Sequence, residues 1–213
     1  MCIRDRPLAL DSLEPQKISS AVKKLNLKHA VITSVDRDDL KDGGSIIWAK
    51  TVNAIREINP KTTLETLIPD FKGDKESINR IIDVAPEVVS HNLETVRRLT
   101  REVRIQAKYD RSLEVLEYLK NNGVNRTKSG IMLGLGETKN EVIDTLKDLR
   151  SVHVDIVTLG QYLQPTKNHL EVKEFISPEQ FKEYEVIGKN LGFRHVESGP
   201  LVRSSYKAHK HIA

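Results

Sequence analysis

The sequence predicts an α/β fold built around a parallel sheet, and three observations support this. Short runs rich in β-branched residues alternate along the chain with amphipathic segments of helical periodicity. Because strands that alternate with helices of about ten residues or more need crossover connections, the pattern indicates parallel βαβ units. The length of 213 residues also suits one α/β barrel, for which about 200–250 residues are usual.

The predicted elements follow one another in a regular order, beginning with a helix over residues 14–25. Strands are predicted over 30–33, 63–68, 88–90, 130–133 and 156–159. Further helices are predicted over 45–58, 76–84, 113–121, 141–149 and 177–191. Ser177 is a good N-cap ahead of Pro178, and Gly123 and Gly192 suit the position just after a helix. Since the first element is a helix, we expect the strand that should precede it to be missing.

The composition excludes several classes of protein. The chain has 34 lysines and arginines against 30 aspartates and glutamates, and because the two signs alternate we expect no nucleic-acid partner. One cysteine, Cys2, excludes an internal disulfide and any cysteine-ligated zinc or iron–sulfur site built from this chain alone. No apolar run reaches the roughly 18–20 residues of a membrane span, and no signal peptide is recognisable. The sequence therefore predicts a soluble, cytoplasmic protein that does not contact membranes.

Every predicted strand ends in a polar or glycine-rich cluster. In a parallel barrel the loops after the strands build the active site, so five such clusters on one face favour an enzyme over a purely structural domain. Residues 34–44 carry four aspartates, which suit a divalent ion or a ligand amino group, or simply cap the following helix. No Ser–His–Asp spacing supports hydrolase chemistry.

The other clusters allow two interpretations each. Asn92 and Glu94 suit ribose hydroxyls, or Asn92 caps a helix. Lys108 and Arg111 suit an anionic group, or belong to a solvated helix start. The glycines of residues 134–137 would let the backbone pass close to an adenine, but their spacing is not G-x-G-x-x-G. The serine pair at 204–205 by itself is typical of a cap or a tail.

The clusters acquire a specific meaning as an ordered set. They include residues 10–15 (LDSLEP), 31–40 (VITSVDRDDL), 42–44 (DGG), 90–96 (SHNLETV), 108–113 (KYDRSL), 128–138 (KSGIMLGLGET), 161–166 (QYLQPT) and 199–206 (GPLVRSSY). In this order, from about residue 6 to residue 208, the chain resembles the lipoyl synthases, a family of the radical S-adenosylmethionine superfamily. The resemblance implies a partial TIM-type (β/α)6 barrel.

The resemblance also implies an activity and its cofactors. Lipoyl synthases insert two sulfur atoms at C6 and C8 of a protein-bound octanoyl chain. They use S-adenosylmethionine and two [4Fe-4S] clusters, of which one is held by three cysteines and the auxiliary one by three cysteines and a serine. The implied partners are octanoylated lipoyl carrier domains, those of 2-oxoacid dehydrogenase E2 proteins or of the glycine cleavage H protein, and a reducing electron donor.

Roles for single residues follow from the resemblance alone. Asn92 and Glu94 match contacts to the cofactor ribose, and Lys108 and Arg111 are candidate partners of its carboxylate. Cofactor-binding roles are also implied for Gly134, Glu137 and Gln161. Ser204 matches the serine ligand of the auxiliary cluster. The strand end at residues 33–36 is expected to line the same site, and Arg203 to lie near the auxiliary cluster.

The sequence departs from the family at its beginning. The cysteine motifs of both clusters normally precede the position that matches Leu10, and neither is present. We expect residues 1–6 to be a junction that does not belong to the family, residues 7–200 to form an incomplete barrel without its first strand and cluster-binding segment, and residues 201–213 to form a tail. The chain as given is expected to be inactive alone, and its open barrel edges predict poor solubility.

Two rival functions come from other classes. A cluster-free barrel could bind S-adenosylmethionine or another nucleoside without chemistry, and tight binding without iron would favour it. An ordinary barrel aldolase or isomerase could use Lys108 or the carboxylates of residues 36–39, and borohydride trapping at a lysine would favour it. The order of the motifs argues against the second rival.

Overall fold

The computed structural model describes residues 7–212, and these form one open, curved sheet with helices on its outer side. Six strands lie side by side in chain order, and every neighbouring pair is parallel. They are β1 (His29–Thr33), β2 (Thr63–Leu67), β3 (Val88–Ser90), β4 (Thr127–Leu133), β5 (Ile156–Gln161) and β6 (His195–Gly199). The sheet confirms the predicted partial barrel.

One helix precedes the first strand, and further helices connect each strand to the next. They are α1 (Glu14–Lys24), α2 (Ser45–Ile58), α3 (Lys75–Asp83), α4 (Thr100–Val103), α5 (Tyr109–Asn121), α6 (Lys139–Ser151) and α7 (Pro178–Asn190), with short 3₁₀ turns at Phe71–Gly73, Arg97–Leu99 and Ala208–Ile212. Within residues 7–212, no helix is long and apolar enough to cross a bilayer. Ser177 caps α7 as predicted, its side chain accepting a bond from the Gln180 N–H.

The five predicted strands and six predicted helices are confirmed, with small shifts of their ends. The sequence did not predict β6, because its residues read His-Val-Glu-Ser-Gly and only Val196 among them is a buried apolar side chain. Pairing with β5, from Ile156 opposite His195 to Gly160 opposite Gly199, makes this segment a strand. The predicted junction at residues 1–6 lies outside the described residues, and the division into a barrel and a tail after residue 200 stays a prediction.

The two faces of the sheet differ in chemistry. Alternate residues such as Leu64 and Val89 are fully buried in apolar clusters under the helices. Their strand neighbours on the inner face are polar, among them Glu65, Ser90 and Lys128, and these are also fully buried. The segment after β6 returns across this inner face, where it places the buried His211 beside Glu65. The inner face is therefore covered by the chain's own C-terminal segment.

The apolar cluster around α6 predicts a stability difference between two leucines. Leu146 is fully buried, whereas Leu25 after α1 is 67% exposed. Leu146→Ala is expected to lower the free energy of unfolding by about 2–5 kcal/mol, because a cavity remains, and Leu25→Ala by less than about 0.5 kcal/mol. Urea unfolding of the two variants measures this, and equal losses would contradict the described core.

Candidate functional site

The carboxyl ends of β1 to β4 surround a cavity of about 310 Å³. This volume lies at the lower end of the range for small-molecule sites, about 300–1,000 Å³. Its lining mixes polar and apolar side chains: Thr33, Ser34, Asp36, Leu67, Ile68, Pro69, His91, Asn92, Glu94, Val103, Arg104 and Met132. A larger cleft of about 670 Å³ lies between α7, β6 and the following segment, and none of the predicted site residues lines it. The smaller cavity is the candidate site.

Asn92 and Glu94 lie together in this cavity, as predicted. The Asn92 Nδ2 group donates a hydrogen bond to Glu94 Oε1 over 3.1 Å, and Arg104 Nη1 donates to the Asn92 carbonyl over 2.8 Å. The side-chain oxygen of Asn92 is buried and accepts no hydrogen bond within the described chain. Because a buried acceptor without a partner is costly, this oxygen marks a place for a ligand donor.

The backbone at Glu94 is held in an unusual conformation. Its φ of 67° lies in the left-handed region, which costs energy for a residue with a side chain. Two bonds to β4 enforce it, since Glu94 N donates to the Gly130 carbonyl and Met132 N to the Glu94 carbonyl. Gly130 is needed here because a Cβ atom would lie 2.7 Å from the Thr158 hydroxyl and 3.0 Å from the Asn92 side-chain oxygen. The strain fixes the carboxylate of Glu94 at the cavity wall.

Charges in the cavity oppose and balance one another. Burial raises the pKa of Glu94, and the nearby Arg104 guanidinium partly offsets this. Burial likewise raises the pKa of Asp36, again opposed by Arg104. The Asp36 carboxylate further raises the pKa of Glu94, while Asp38 and Asp70 further raise the pKa of Asp36. The site therefore offers two hydrogen-bond acceptors that bind a ligand's hydroxyl or amino groups.

His91 supports the site from behind. It is buried, and its Nδ1 bonds the Ile68 carbonyl over 3.0 Å while its Nε2 bonds the Ser112 hydroxyl over 2.9 Å. Since a carbonyl only accepts, the proton of the neutral ring lies on Nδ1 and the Ser112 hydroxyl donates to Nε2. Burial lowers the pKa of His91 to about 4. His91 is thus a neutral support for the strand end that carries Asn92.

Lys108 and Arg111, the predicted partners of a cofactor carboxylate, lie outside the cavity. Lys108 is exposed at the start of α5. Arg111 is paired with Asp70, its Nε donating to Asp70 Oδ2 over 2.7 Å, and its Nη2 donates to the Gln106 carbonyl. Neither side chain lines the wall around Asn92 and Glu94. Their predicted role at a cofactor carboxylate stays a prediction.

The three other predicted cofactor residues belong to the loops after β4 and β5. Glu137 accepts hydrogen bonds from the backbone N–H groups of Gly134 and Leu135. The Gln161 amide donates to the Tyr162 and Glu174 carbonyls, each over 3.0 Å. The remaining Gln161 oxygen accepts from the backbone N–H of Ile176. Gly134, Glu137 and Gln161 do not line the cavity, and their side chains or backbone hold the loops after β4 and β5 together.

Ser204 lies in the segment that follows β6 and is partly exposed. Its carbonyl accepts a hydrogen bond from the buried Lys128 ammonium. Within residues 7–212, no group of three or more His, Cys, Asp or Glu side chains is placed to hold a metal ion. The described residues therefore provide no such group of ligands beside Ser204, and its role as a metal ligand stays a prediction.

Sequence reasoning missed several residues of the cavity, of which Arg104 and Met132 are two. Arg104 follows the short helix α4, in a stretch with several other basic residues, so nothing in the sequence distinguished it. Met132 belongs to the predicted strand β4 and faces the cavity by strand alternation, which an exact register would have shown. Asp36, Thr33 and Ser34 line the cavity as the sequence predicted.

Comparison with known sequences gives one consistent result. The profile of the radical SAM superfamily matches residues 1–149. The chain is 72% identical over 207 residues to a lipoyl synthase of Flavobacterium johnsoniae, covering 97% of this chain and 72% of the relative. It is also 72% identical over 207 residues to a mitochondrial lipoyl synthase of Nematostella vectensis, covering 97% of this chain and 71% of the relative.

Solved structures resemble the fold at low identity. HydG, a maturase of the [FeFe]-hydrogenase, matches with a TM-score of 0.70 at 12% identity, over 92% of this chain and 51% of HydG. SuiB of Streptococcus suis bound to S-adenosylmethionine matches with a TM-score of 0.68 at 14% identity, over 98% of this chain and 48% of SuiB. At such identities the likeness supports the fold alone.

The buried His91 predicts a pH dependence of stability. Its pKa rises from about 4 in the folded chain to the ordinary 6.5 on unfolding. Below pH 6.5 the unfolded state therefore binds a proton that the folded state refuses, and the free energy of unfolding falls by about 3 kcal/mol as the pH drops towards 4.

Urea unfolding between pH 7 and pH 4 tests this contribution. His91→Gln removes the titrating ring and is expected to flatten the pH dependence, whatever its effect on stability at pH 7. His153→Gln, at an exposed position, is the control and keeps the dependence of the unchanged chain. A His91→Gln variant with an unchanged slope would contradict the prediction.

Proposed function

The chain belongs to the lipoyl synthase family of the radical SAM superfamily, and we propose that the cavity at Asn92 and Glu94 binds the nucleoside part of S-adenosylmethionine. The observation that carries the proposal is the buried side-chain oxygen of Asn92, which accepts no hydrogen bond and lies beside the carboxylate of Glu94, a residue whose backbone is strained. A ribose carries two neighbouring hydroxyl groups, which can donate hydrogen bonds to the Asn92 oxygen and to the Glu94 carboxylate. Both acceptors are then satisfied by one ligand.

The family reaction inserts two sulfur atoms at C6 and C8 of a protein-bound octanoyl chain and so forms the lipoyl group. S-adenosylmethionine and two [4Fe-4S] clusters are the cofactors, and together they supply the radical that removes hydrogen and the sulfur that replaces it. The substrate is a lipoyl carrier protein. A cluster-free nucleoside-binding function is not favoured, because relatives at 70% identity or more are lipoyl synthases.

The residues of the chain fit the two kinds of cofactor differently. The donor and acceptor set of Asp36, Asn92 and Glu94 fits a nucleoside, and Gly130 leaves room for the Asn92 amide. The clusters need three thiolates each, and the chain has one cysteine, Cys2. This chain alone does not fit either cluster. Its own contribution is therefore the wall that binds and orients the nucleoside.

Each cavity residue has a distinct task in this proposal. Glu94 and Asn92 accept the ribose hydroxyls and fix the rotation of the sugar. Arg104 holds the Asn92 backbone, and its charge opposes the rise in pKa that burial causes at both carboxylates. Val103 and Met132 give the cavity an apolar side that excludes water from the ligand. These tasks position the ligand without any movement of the sheet.

The predicted cofactor residues that lie outside the cavity have other tasks in this proposal. Gln161 and Glu137 stabilise the loops after β5 and β4 by the hydrogen bonds described above. Lys108 and Arg111 lie where the chain of β3 continues into α5, and a methionine carboxylate that extends out of the cavity would meet them. Ser204 is proposed, from the family motif, to face the auxiliary cluster.

The specific partners are also part of the proposal. We assign octanoylated carrier domains of 2-oxoacid dehydrogenase E2 proteins and of the glycine cleavage H protein as substrates, and a low-potential protein as electron donor. Membership of the family supports both assignments. The family reaction acts on a carrier-bound chain, which supports the carrier domains, and it consumes electrons, which supports the donor. The cytoplasmic location expected from the sequence stays a prediction.

Binding of 5′-deoxyadenosine tests the nucleoside site without iron or sulfur. Glu94→Gln removes the charge of one acceptor and is expected to raise the Kd about tenfold, because a charge-assisted hydrogen bond is lost. Glu102→Gln, at an exposed position on α4, is the matched control and leaves the Kd unchanged. Isothermal titration calorimetry measures both, and equal affinities of the two variants would place the nucleoside elsewhere.

A chimera tests the family reaction with this chain's own residues. The segment of the Flavobacterium johnsoniae relative that precedes its matched region is joined to Pro7 of this chain. Expressed in a bacterium that lacks lipoyl synthase, the chimera is expected to restore growth without lipoate. Ser204→Ala in the chimera is expected to lower lipoylated carrier protein about tenfold or more, the effect usual for residues around a metal site.

A serine outside the family motifs provides the control for this experiment. Ser151→Ala removes an exposed hydroxyl at the end of α6, so it is expected to keep the yield of the chimera. Mass spectrometry of the carrier protein quantifies octanoylated and lipoylated forms. A folded chimera that leaves the octanoyl chain unchanged would refute the proposed function of this chain.

A further inference from the structure

An apolar side chain is displayed at the edge of the nucleoside cavity. Ile105 is 85% exposed, more than any other large apolar side chain of residues 7–212. It directly follows Val103 and Arg104, which both line the cavity. Single exposed apolar residues are common on protein surfaces, so the position and the surroundings of Ile105 decide whether it has a role.

The turn that carries Ile105 is fixed by hydrogen bonds on both sides. Before it, Arg104 Nη1 donates to the Asn92 carbonyl over 2.8 Å. After it, the Gln106 carbonyl accepts a hydrogen bond from Arg111 Nη2 over 3.1 Å, and Arg111 is itself held in an ion pair. A side chain on a fixed backbone loses little conformational freedom when a partner covers it, so Ile105 is well suited to be a contact residue.

One cation of the same segment is not used by the chain. Arg101 is exposed, and among residues 7–212 its side chain has neither a hydrogen bond nor an ion pair. The other arginines nearby have partners: Arg97 has Asp110 and Asp148, Arg98 has Glu141, Arg104 has the Asn92 carbonyl and Arg111 has Asp70. Arg101 and Ile105 are four residues apart, which limits the distance between their Cα atoms to about 14 Å. We call these two residues the rim pair.

The chemistry of the rim pair fits a protein surface. Small-molecule sites are concave, whereas Ile105 projects into solvent. An apolar anchor beside a charged group is typical of protein–protein contacts, and the free guanidinium of Arg101 is complementary to a carboxylate. The expected partner is therefore a folded domain that presents a carboxylate close to an apolar side chain.

The proposed function names a partner that has to come to this edge. The octanoyl chain is attached to a carrier domain, and it has to reach the nucleoside cavity while the body of the carrier stays outside. The carrier surface around the attachment point therefore lies against the residues that surround the cavity. An electron donor has no group that enters the cavity, so the position of the rim pair favours the carrier.

We propose that the rim pair is a docking site for the carrier domain, with Ile105 against an apolar side chain and Arg101 against a carboxylate of the carrier surface around the octanoylated residue. The inference rests on the proposed function, which names the carrier as the substrate, and it adds the place on this chain where the carrier docks. Lys108 keeps its proposed task at the cofactor carboxylate and is not part of the rim pair.

Titration of the octanoylated glycine cleavage H protein with the full chain tests the docking site. Chemical shifts of the isotope-labelled carrier measure its Kd. Ile105→Glu is expected to raise the Kd about tenfold or more, because it replaces an apolar contact by a charge of the same sign as the carboxylates of the carrier. Arg101→Glu is expected to raise the Kd to a similar extent, because it turns attraction into repulsion.

The opposite end of the sheet offers a matched pair of control residues. Leu25 is 67% exposed, Lys24 is also exposed, and both lie at the end of α1, ahead of β1. Leu25→Glu and Lys24→Glu make closely similar chemical changes at the amino ends of the strands, and they are expected to leave the Kd unchanged. Equal Kd values for the rim variants and these controls would overturn the inference.

The carrier without its octanoyl group separates docking from binding of the acyl chain. It is expected to bind more weakly and yet to show the same two losses, because the rim pair contacts the surface of the protein. Losses that require the octanoyl group would overturn the inference, since the rim pair would then contact the acyl chain. Weaker binding of the electron donor with unchanged binding of the carrier would overturn it as well.

Binding of 5′-deoxyadenosine keeps the test of the rim pair independent of the nucleoside site. Both rim variants are expected to bind it like the unchanged chain, which shows that they are folded. If the unchanged chain does not bind it, the nucleoside site is refuted, while the titration of the carrier still decides the docking site. An unchanged chain that binds no carrier would overturn the inference, because the rim pair lies entirely within this chain.

Discussion

The ion pair between Glu65 and Lys128 constrains the arrangement of the inner face, because both side chains are fully buried. Two charges that are removed from water gain little net stability from their attraction, but breaking such a pair costs about 3–5 kcal/mol. The pair therefore acts as a condition on the fold. β2, β4 and the C-terminal segment have to be in place together, because otherwise one charge stays buried without a partner.

The sheet carries two regions of different chemistry, the cavity at the carboxyl ends of the strands and the buried ion pair deeper in the sheet. Towards the carboxyl ends of the strands, Asp36 and Glu94 face the cavity. Burial raises the pKa of both carboxyl groups, and the Arg104 cation opposes this rise. Deeper in the sheet, Lys128 donates to Glu65 Oε1, and Glu65 Oε2 lies 4.0 Å from His211 Nδ1. The upper region keeps free acceptors for a ligand, whereas the lower region leaves its cation no capacity beyond the chain itself.

Particular elements show how far sequence reasoning reaches. The strands at 63–68 and 88–90 were predictable, because β-branched runs are bounded by turn residues. The position of Asn92 and Glu94 at the end of a strand was predictable, and both line the cavity there, while their role towards a cofactor stays a prediction. Gln161 is the last residue of β5, yet its amide forms hydrogen bonds with the next loop. The sequence shows that a side chain is at a strand end, but which partner takes its hydrogen bonds depends on distant residues.

The sequence by itself determined the alternation of strands and helices, the face on which the site lies, and the family, because local periodicity and ordered motifs are properties of neighbouring residues. Only the tertiary structure decided that Arg104 and Met132 complete the cavity and that His195–Gly199 is a strand. It also decided that Lys128 reaches the carbonyl of Ser204, 76 positions further along the chain. Such contacts join residues far apart in sequence, and their free energy exists only once the sheet has brought them together.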